Sequence, residues 1–408
     1  MLGSIRRFVA EPIAPVRRRL RARVDVFSRD LRMLKGSLLG KHPPPFRERH
    51  ATATELTLQA AASPRVVRVS AVTRETADCV SLVIEDVCGA PFAFSAGQFF
   101  TVIVHIDGVA YRRAYSASSA ANVTDKVTIS VKRVHGGLVS NFIHERVVVG
   151  TEFAVLGPSG DFVVPPLESE ASRTLVMIAG GSGITPIASI IRTELASGDR
   201  TKLILVYGSR SSTDIIFGRE LSALACAYPD RFRVVHVLGE ANERVTPHAG
   251  VLDREGLSAV LDRERIGLES IDRCYVCGPE PMMDGVRDSL VARGMPVGNI
   301  TFERFLAPRA PSFDARADEP HTVTLRHKGR SLDLVAMPGQ TLLEAALAAG
   351  EALPFSCTMG GCGACKVKRL AGSVAMAEPN CLTETERREG AVLACVACVL
   401  SDLEVEVG

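Results

Sequence analysis

The chain has 408 residues, 46% hydrophobic and 23% charged, with a formal net charge of +2. That length suits two to four domains, each able to bury its own core, and the ordinary composition excludes a disordered or fibrous chain. The small net charge gives no reason to expect a nucleic-acid partner, but it hides an uneven split: residues 1–50 carry 13 Lys/Arg against 4 Asp/Glu, a net of +9, which leaves −7 for the remainder.

The N-terminus lacks an apolar stretch suited to a signal peptide, so a reducing, cytoplasmic setting is expected for the eleven cysteines. Residues 1–63 read as a basic extension. Val16, Leu20, Val24, Phe27, Leu31, Leu34 and Leu38 recur at steps of three or four, with arginines beside or opposite them. Two readings stay open: a helix packed on the body or a solvated arm, and an interfacial helix in peripheral contact with the inner face of a membrane.

From about Pro64 the pattern becomes short β-rich runs: Arg65–Val72, Val80–Glu85, Phe99–Ile106 and Lys126–Arg133. Residues 64–170 are read as a small antiparallel β-barrel. Near Arg173 strands and helices begin to alternate. Strands are expected at Leu175–Ala179, Leu203–Tyr207, Phe232–Val237 and Cys274–Cys277, with helices up to Ala196, near Gly218–Ala227 and near Pro281–Arg293. Residues 171–306 are therefore a doubly wound α/β unit. The apolar run Leu175–Ile191 approaches the length of a membrane span, but Gly180, Gly181, Gly183 and Pro186 near its middle favour strand, turn and helix. Residues 307–320 read as a linker, and residues 321–408 as an α+β unit with strands at Thr322–His327 and Ser331–Val335 and a helix at Leu342–Ala349.

Three motifs carry chemistry. Arg113-Ala114-Tyr115-Ser116 offers a cation for a pyrophosphate, an aromatic for a flavin face and a hydroxyl near its reactive nitrogen. It gains weight from Gly136-Gly137-Leu138-Val139-Ser140-Asn141-Phe142, whose glycines let backbone approach phosphate while Ser140 can bond it. Val131 and Lys132 end the strand before that loop and join the cofactor-binding candidates. The second motif, Ala179-Gly180-Gly181-Ser182-Gly183-Ile184-Thr185-Pro186, lies between strand and helix. There Gly181, Gly183, Thr185 and Pro186 suit a dinucleotide pyrophosphate at a helix N-terminus. Cys277-Gly278-Pro279 opens a further helix, and Ser209-Arg210 follows the second strand, where a ribose 2′-phosphate would lie.

The third motif is Cys357-x4-Cys362-x2-Cys365, with Cys395 after 29 more residues. Thiolates at this spacing match a [2Fe–2S] site, with zinc or a disulfide as rival readings, and Gly360, Gly361 and Gly363 supply the unusual dihedrals of a wrapping loop. Spacing favours Cys395 as fourth ligand over Cys381 and Cys398.

Pro354–Cys365 with Leu393-Ala394-Cys395 resembles the plant-type ferredoxin family across residues 321–408, the last unit then being a β-grasp domain. The flavin and Gly-x-Gly-x-x-Pro motifs resemble the ferredoxin–NADP reductase superfamily, and the whole order, over residues 64–408, is similar to the reductase components of bacterial multicomponent oxygenases. The resemblance implies FAD, a [2Fe–2S] cluster and NAD(P)H as cofactors, and electron delivery to a terminal oxygenase, hydroxylase or desaturase. It places Cys277 beside the nicotinamide and the Phe302-Glu303-Arg304-Phe305 strand end near the flavin. Ser116, Cys277 and Glu303 then act as orienting residues of the catalytic site, not as nucleophiles. Arg210 tilts the reading toward NADPH, with NADH still open. A flavin diaphorase or an iron–sulfur redox sensor is the alternative.

Overall fold

The structure is a computed structural model that describes residues 64–121, 124–167, 171–198, 200–240, 248–305, 319–327, 329–351, 353–355, 358–361, 363–378 and 380–407. The apolar and arginine stripe of the extension, most of the 307–320 linker, and the cysteines Cys357 and Cys362 lie outside the described residues.

The first unit is built from strands β1 (Arg65–Thr76), β2 (Cys79–Asp86), β3 (Phe99–Ile106), β4 (Val109–Ser116), β5 (Lys126–Lys132) and β6 (Glu152–Ser159), with helix α1 (Leu138–Arg146) between the last two. Alternation drives it: Val127, Ile129 and Val131 of β5 point inward to meet Phe100, Val102 and Val104 of β3. The sheet runs β4-β3-β6-β1-β2-β5, all antiparallel, and the bridge Ala117↔Ile129 joins its two ends into a barrel. Val139 and Ile143 of α1 complete that core. The Arg113–Ser116 run lies inside β4 itself.

The second unit contains β7 (Arg173–Gly180), α2 (Ile184–Ala196), β8 (Thr201–Ser209), α3 (Gly218–Ala227), β9 (Phe232–Leu238), β10 (His248–Ala249), α4 (Arg254–Arg263), β11 (Arg273–Cys277), α5 (Glu280–Ala292) and β12 (Ile300–Glu303). Its sheet is wholly parallel in the order β10-β9-β8-β7-β11-β12. Leu175, Met177 and Ala179 of β7 pack under α2 and α3, whereas Val176 and Ile178 pack under α4 and α5. A strand buried on both faces must be apolar throughout, which explains the unbroken run in the sequence. The chain leaves β7 toward β8 and returns to add β11 on the other side. The crevice between the carboxyl ends of β7 and β11 is thus the topological switch point, the general ligand position of such sheets.

Barrel and α/β unit pack closely. Cys79 and Phe162 enter the core beneath α2, and the Phe162 and Tyr275 rings meet edge to face at 5.4 Å. Ser189 Oγ donates to the Ser119 carbonyl at 2.7 Å.

The third unit comprises β13 (His321–His327), β14 (Arg330–Ala336), α6 (Leu342–Ala348), β15 (Lys366–Ala371), β16 (Val374–Met376), α7 (Glu384–Arg388), β17 (Ala391–Leu393), β18 (Ala397–Val399) and β19 (Leu403–Glu406). Its main sheet, β14-β13-β19-β15-β17, shares a core with α6. Thr341 and Glu344 form a reciprocal capping box that starts α6, and Thr383 and Glu386 do the same for α7. This unit touches the barrel through an Arg112–Glu344 ion pair at 3.1 Å and through Met359, whose Sδ accepts the Ala114 N–H at 3.3 Å.

Candidate functional site

Three adjoining cavities lie where the units meet. The first, of about 460 Å³, is lined by Arg113, Tyr115, Ser116, Lys132, Gly137, Val139 and Ser140, and by Ser182, Thr185, Phe305 and Met359 from the other two units and the chain between them. The barrel brings β4 beside the end of β5 and the start of α1, so segments far apart in sequence form one wall. The Ser116 hydroxyl is buried there with no hydrogen-bond partner, a costly state that a ligand atom in the cavity would relieve. Burial also raises the Tyr115 phenol above its ordinary range, so it stays neutral. Ser140 behaves differently from expectation: its hydroxyl accepts the Val134 N–H at 3.1 Å and donates to the Gly137 carbonyl at 3.4 Å, which folds its own loop. Val131 is not brought to the cavity. Its side chain lies in the barrel core, as period-two alternation from Lys132 requires, and its carbonyl is 2.9 Å from His144 Nε2.

The second cavity, of about 290 Å³, is lined by Phe99, Ala114, Ser116, Glu303 and Phe305 together with Met359 and Gly361 of the cysteine loop. The third, of about 270 Å³, sits at the switch point between Gly180–Ser182 and Gly278–Glu280, with Lys132, Arg304 and Phe305 at its edge. Ser116 is thus common to the first two cavities, and Phe305 to all three.

Cys277 ends β11 between Ala179 on one side and Glu303 on the other. It is fully buried, and burial first, then the Glu303 charge, push its thiol well above the ordinary value. A neutral thiol is a packing and positioning group, not a nucleophile. Gly183 is required by closeness: a Cβ there would stand 2.0 Å from the Cys277 carbonyl oxygen. Thr185 lines the first cavity and donates to the Ser182 carbonyl at 3.0 Å, while Pro186 is buried in the first turn of α2. Ser209 ends β8 and Arg210 follows it, away from the three cavities' linings. Arg210 is held by two carboxylates, Asp78 at 2.9 Å and Asp214 at 2.8 Å.

Of the expected cluster ligands, Cys365 and Cys395 are described and both are buried. The Gly360 N–H, within the cysteine loop, donates to Cys395 Sγ at 3.3 Å. Backbone N–H groups aimed at sulfur are what a thiolate-ligated cluster requires. Cys398 sits on β18 opposite Ala375, and Cys381 Sγ would lie 3.6 Å from a Cβ on Gly363. The donor chemistry therefore fits a cluster with Cys395, and the unpartnered Ser116 hydroxyl fits a flavin.

Two residues of the site escaped the sequence reading. Met359 is a large apolar residue in a loop otherwise of glycine, alanine, threonine and cysteine, and that contrast is its legible trace. Asp78 gave none, because its partner Arg210 lies 132 positions away.

Comparison with known proteins agrees in all three units. Family models match as an oxidoreductase FAD-binding domain over residues 81–164, an oxidoreductase NAD-binding domain over 177–288 and a 2Fe-2S iron-sulfur cluster binding domain over 325–400. The chain is 34% identical over 334 residues to the glycine betaine monooxygenase reductase subunit of Chromohalobacter salexigens, covering 77% of this chain and 88% of that protein. It is 34% identical over 355 residues to the ferredoxin reductase component of 3-ketosteroid-9-alpha-monooxygenase from Mycolicibacterium smegmatis, covering 84% and 96%. Among solved structures, phthalate dioxygenase reductase superposes with a TM-score of 0.58 at 25% identity, covering 86% of this chain and all of that one.

Proposed function

Because the chain belongs to the family of oxygenase reductase components that join FAD-binding, NAD-binding and [2Fe–2S] domains in one polypeptide, we propose how its own residues perform that electron transfer. It is an NAD(P)H:acceptor oxidoreductase that serves an oxygenase partner. When bound, the flavin accepts a hydride and releases electrons singly, and the cluster carries them one at a time.

Arg113, Lys132, Gly137 and Ser140 hold the flavin phosphates, with Ser140 acting through the loop that it folds. Tyr115 packs on the ring system, and Ser116 donates toward it from the shared wall of two cavities. Gly181, Gly183, Thr185 and Pro186 shape the turn that receives the nucleotide pyrophosphate, and Gly278 and Pro279 form the opposite lip. Cys277 and Glu303, level on adjacent strands, position the nicotinamide. Cys357, Cys362, Cys365 and Cys395 ligate the cluster. Domain limits of 64–170, 171–306 and 321–408 accord with the change of sheet after β6 and again after β12.

The observation that carries this reading is the second cavity, where Ser116 and Ala114 of the flavin wall face Met359 and Gly361 of the cysteine loop. A flavin seated against Ser116 lies next to the cluster loop with no intervening domain. The test is Cys395→Ser in the full chain. The [2Fe–2S] signal in electron paramagnetic resonance disappears, NAD(P)H–ferricyanide activity persists, and cytochrome c reduction fails. Loss of the signal in Cys398→Ser and not in Cys395→Ser would reassign the fourth ligand; cytochrome c reduction without a cluster would favour a diaphorase.

No helix among the described residues is long and apolar enough to cross a membrane. For residues 1–50 we propose peripheral contact with an anionic membrane face on the cytoplasmic side. The net charge of +9 and the apolar stripe support it.

A further inference from the structure

The end of β8 is where a parallel nucleotide-binding sheet meets the adenosine ribose. Gly180 and Gly208 are register partners, so the β8 terminus stands level with the glycine turn, about 5 Å away across the sheet. Arg210 is the cation at this position, and a free guanidinium here would receive a 2′-phosphate. Part of its guanidinium is already engaged. One nitrogen, Nη2, donates both to Asp78 Oδ2 at 2.9 Å and to Asp214 Oδ1 at 2.8 Å.

These contacts come from two different units. Asp78 sits on the β1–β2 turn of the barrel, where its other oxygen accepts from Thr76 at 3.0 Å. Asp214 belongs to the short turn after β8, where its second oxygen accepts from Ser211 at 2.9 Å. Burial alone would raise the Asp214 carboxyl, but the Ser211 and Arg210 hydrogen bonds outweigh it and hold the group below its ordinary range, ionised at neutral pH. Lys132, 3.9 Å from Asp78, is the next cation, which makes two positive and two negative side chains in the cluster.

Resting on the reductase reading, we propose that the physiological electron donor is NADH, and that Asp78 and Asp214 set this choice by occupying Arg210. A 2′-phosphate would bring close to two negative charges beside the Asp78 and Asp214 carboxylates, into a cluster with no surplus cation. A ribose 2′-hydroxyl instead finds the Asp78 and Asp214 side-chain oxygens, which can accept a hydrogen bond from it, the arrangement that suits NAD. This reverses the tilt toward NADPH that Arg210 and Ser209 give when read alone.

Two measurements decide it on the full-length protein. Steady-state ferricyanide reduction should give a kcat/KM for NADH at least ~10-fold above that for NADPH, equivalent to about 1.4 kcal/mol. Asp78→Asn and Asp214→Asn should each raise kcat/KM for NADPH relative to NADH, by roughly 3- to 10-fold at low salt, with the gain shrinking as ionic strength screens the charges. Calorimetric titration with 5′-AMP and with 2′,5′-ADP reads the same preference without turnover: wild type binds 5′-AMP at least as tightly, and both Asn variants gain affinity for 2′,5′-ADP. NADPH preference in wild type, or tighter binding of 2′,5′-ADP, overturns the inference. So does a nucleotide ratio that neither variant moves. If neither nucleotide reduces ferricyanide, the reductase reading fails, and the calorimetry still decides this one.

Discussion

Ser116→Ala should stabilise the flavin-free protein while slowing the loaded enzyme. Ser116 is 2% exposed, and its hydroxyl has no hydrogen-bond partner. Leaving such a group buried and unpaired costs about 1–3 kcal/mol. Alanine removes the oxygen and that cost, at the loss of a few dispersion contacts of about 0.1–0.2 kcal/mol each. The net expectation is a gain of about 1 kcal/mol, or roughly 2–4 °C in Tm for a cooperative unit of this size. With flavin bound the sign reverses. The hydroxyl then has a partner, so alanine forfeits a hydrogen bond worth about 0.5–1.5 kcal/mol. If that bond strengthens toward the transition state, NADH–ferricyanide turnover drops about 10-fold. Differential scanning calorimetry of flavin-stripped and reconstituted protein, wild type and variant, reads both signs. A flavin-free Ser116→Ala protein that melts below flavin-free wild type would refute the reasoning, since it would mean that the hydroxyl is satisfied within the protein.

Gly183→Ala should destabilise by about 1–3 kcal/mol, because its Cβ would meet the Cys277 carbonyl at 2.0 Å and must push the two strand ends apart; the KM for the nucleotide should rise together with the loss in urea midpoint, and an unchanged KM would separate the turn from the nucleotide site. Burial pushes the Cys79 thiol up to about 12, with the Glu75 and Asp78 charges adding to it. A thiol in the unfolded chain ionises near 8.5, so the contribution of Cys79 is fully present below that pH and is lost as pH rises toward 12. The wild-type urea midpoint should therefore fall more steeply above pH 9 than that of Cys79→Ala, and parallel curves would contradict it. Removing residues 1–50 should abolish co-sedimentation with anionic vesicles at low salt and leave ferricyanide activity intact; equal sedimentation of both forms would end the membrane proposal.

The elements legible in the sequence are those whose pattern is local. Phe99–Ile106 and Gly218–Ala227 coincide with the structure to the residue, because an apolar strand and an amphipathic helix each declare themselves within one window. What stayed hidden depends on partners. β6 holds Gly157 and a cis Gly157–Pro158 bond, features that read as a turn, yet Thr101 and Val102 of β3 pair with Leu156 and Val155. α4 has low apolar content, with Leu257, Val260 and Leu261 as its buried face, so its pattern is weak although Asp253 caps it at the Gly256 N–H. β15 to β19 are short, and their pairing across α7 and two turns is specified by the shared core of the third unit.

The same division runs through the site. Backbone-borne chemistry is legible, because a glycine turn between strand and helix, or a cysteine spacing, is a local constraint that any tight phosphate or cluster loop imposes. Gly181, Gly183, Gly278 and Cys395 are legible for that reason: Gly181 and Gly278 line the switch-point cavity, a Cβ on Gly183 would meet the Cys277 carbonyl, and Cys395 Sγ accepts the Gly360 N–H. Contacts that tune the site are not local. The Ala114–Met359 bond spans 245 positions and the Asp78–Arg210 pair 132, and a lone Met or Asp carries no mark of its partner. Arg210 shows the consequence. Composition and position make it a phosphate receptor; two carboxylates from separate turns turn it into the centre of an ion-pair network. A cation's function is decided by the charges already around it, so the coenzyme preference of such a reductase has to be read from the contact, not from the motif.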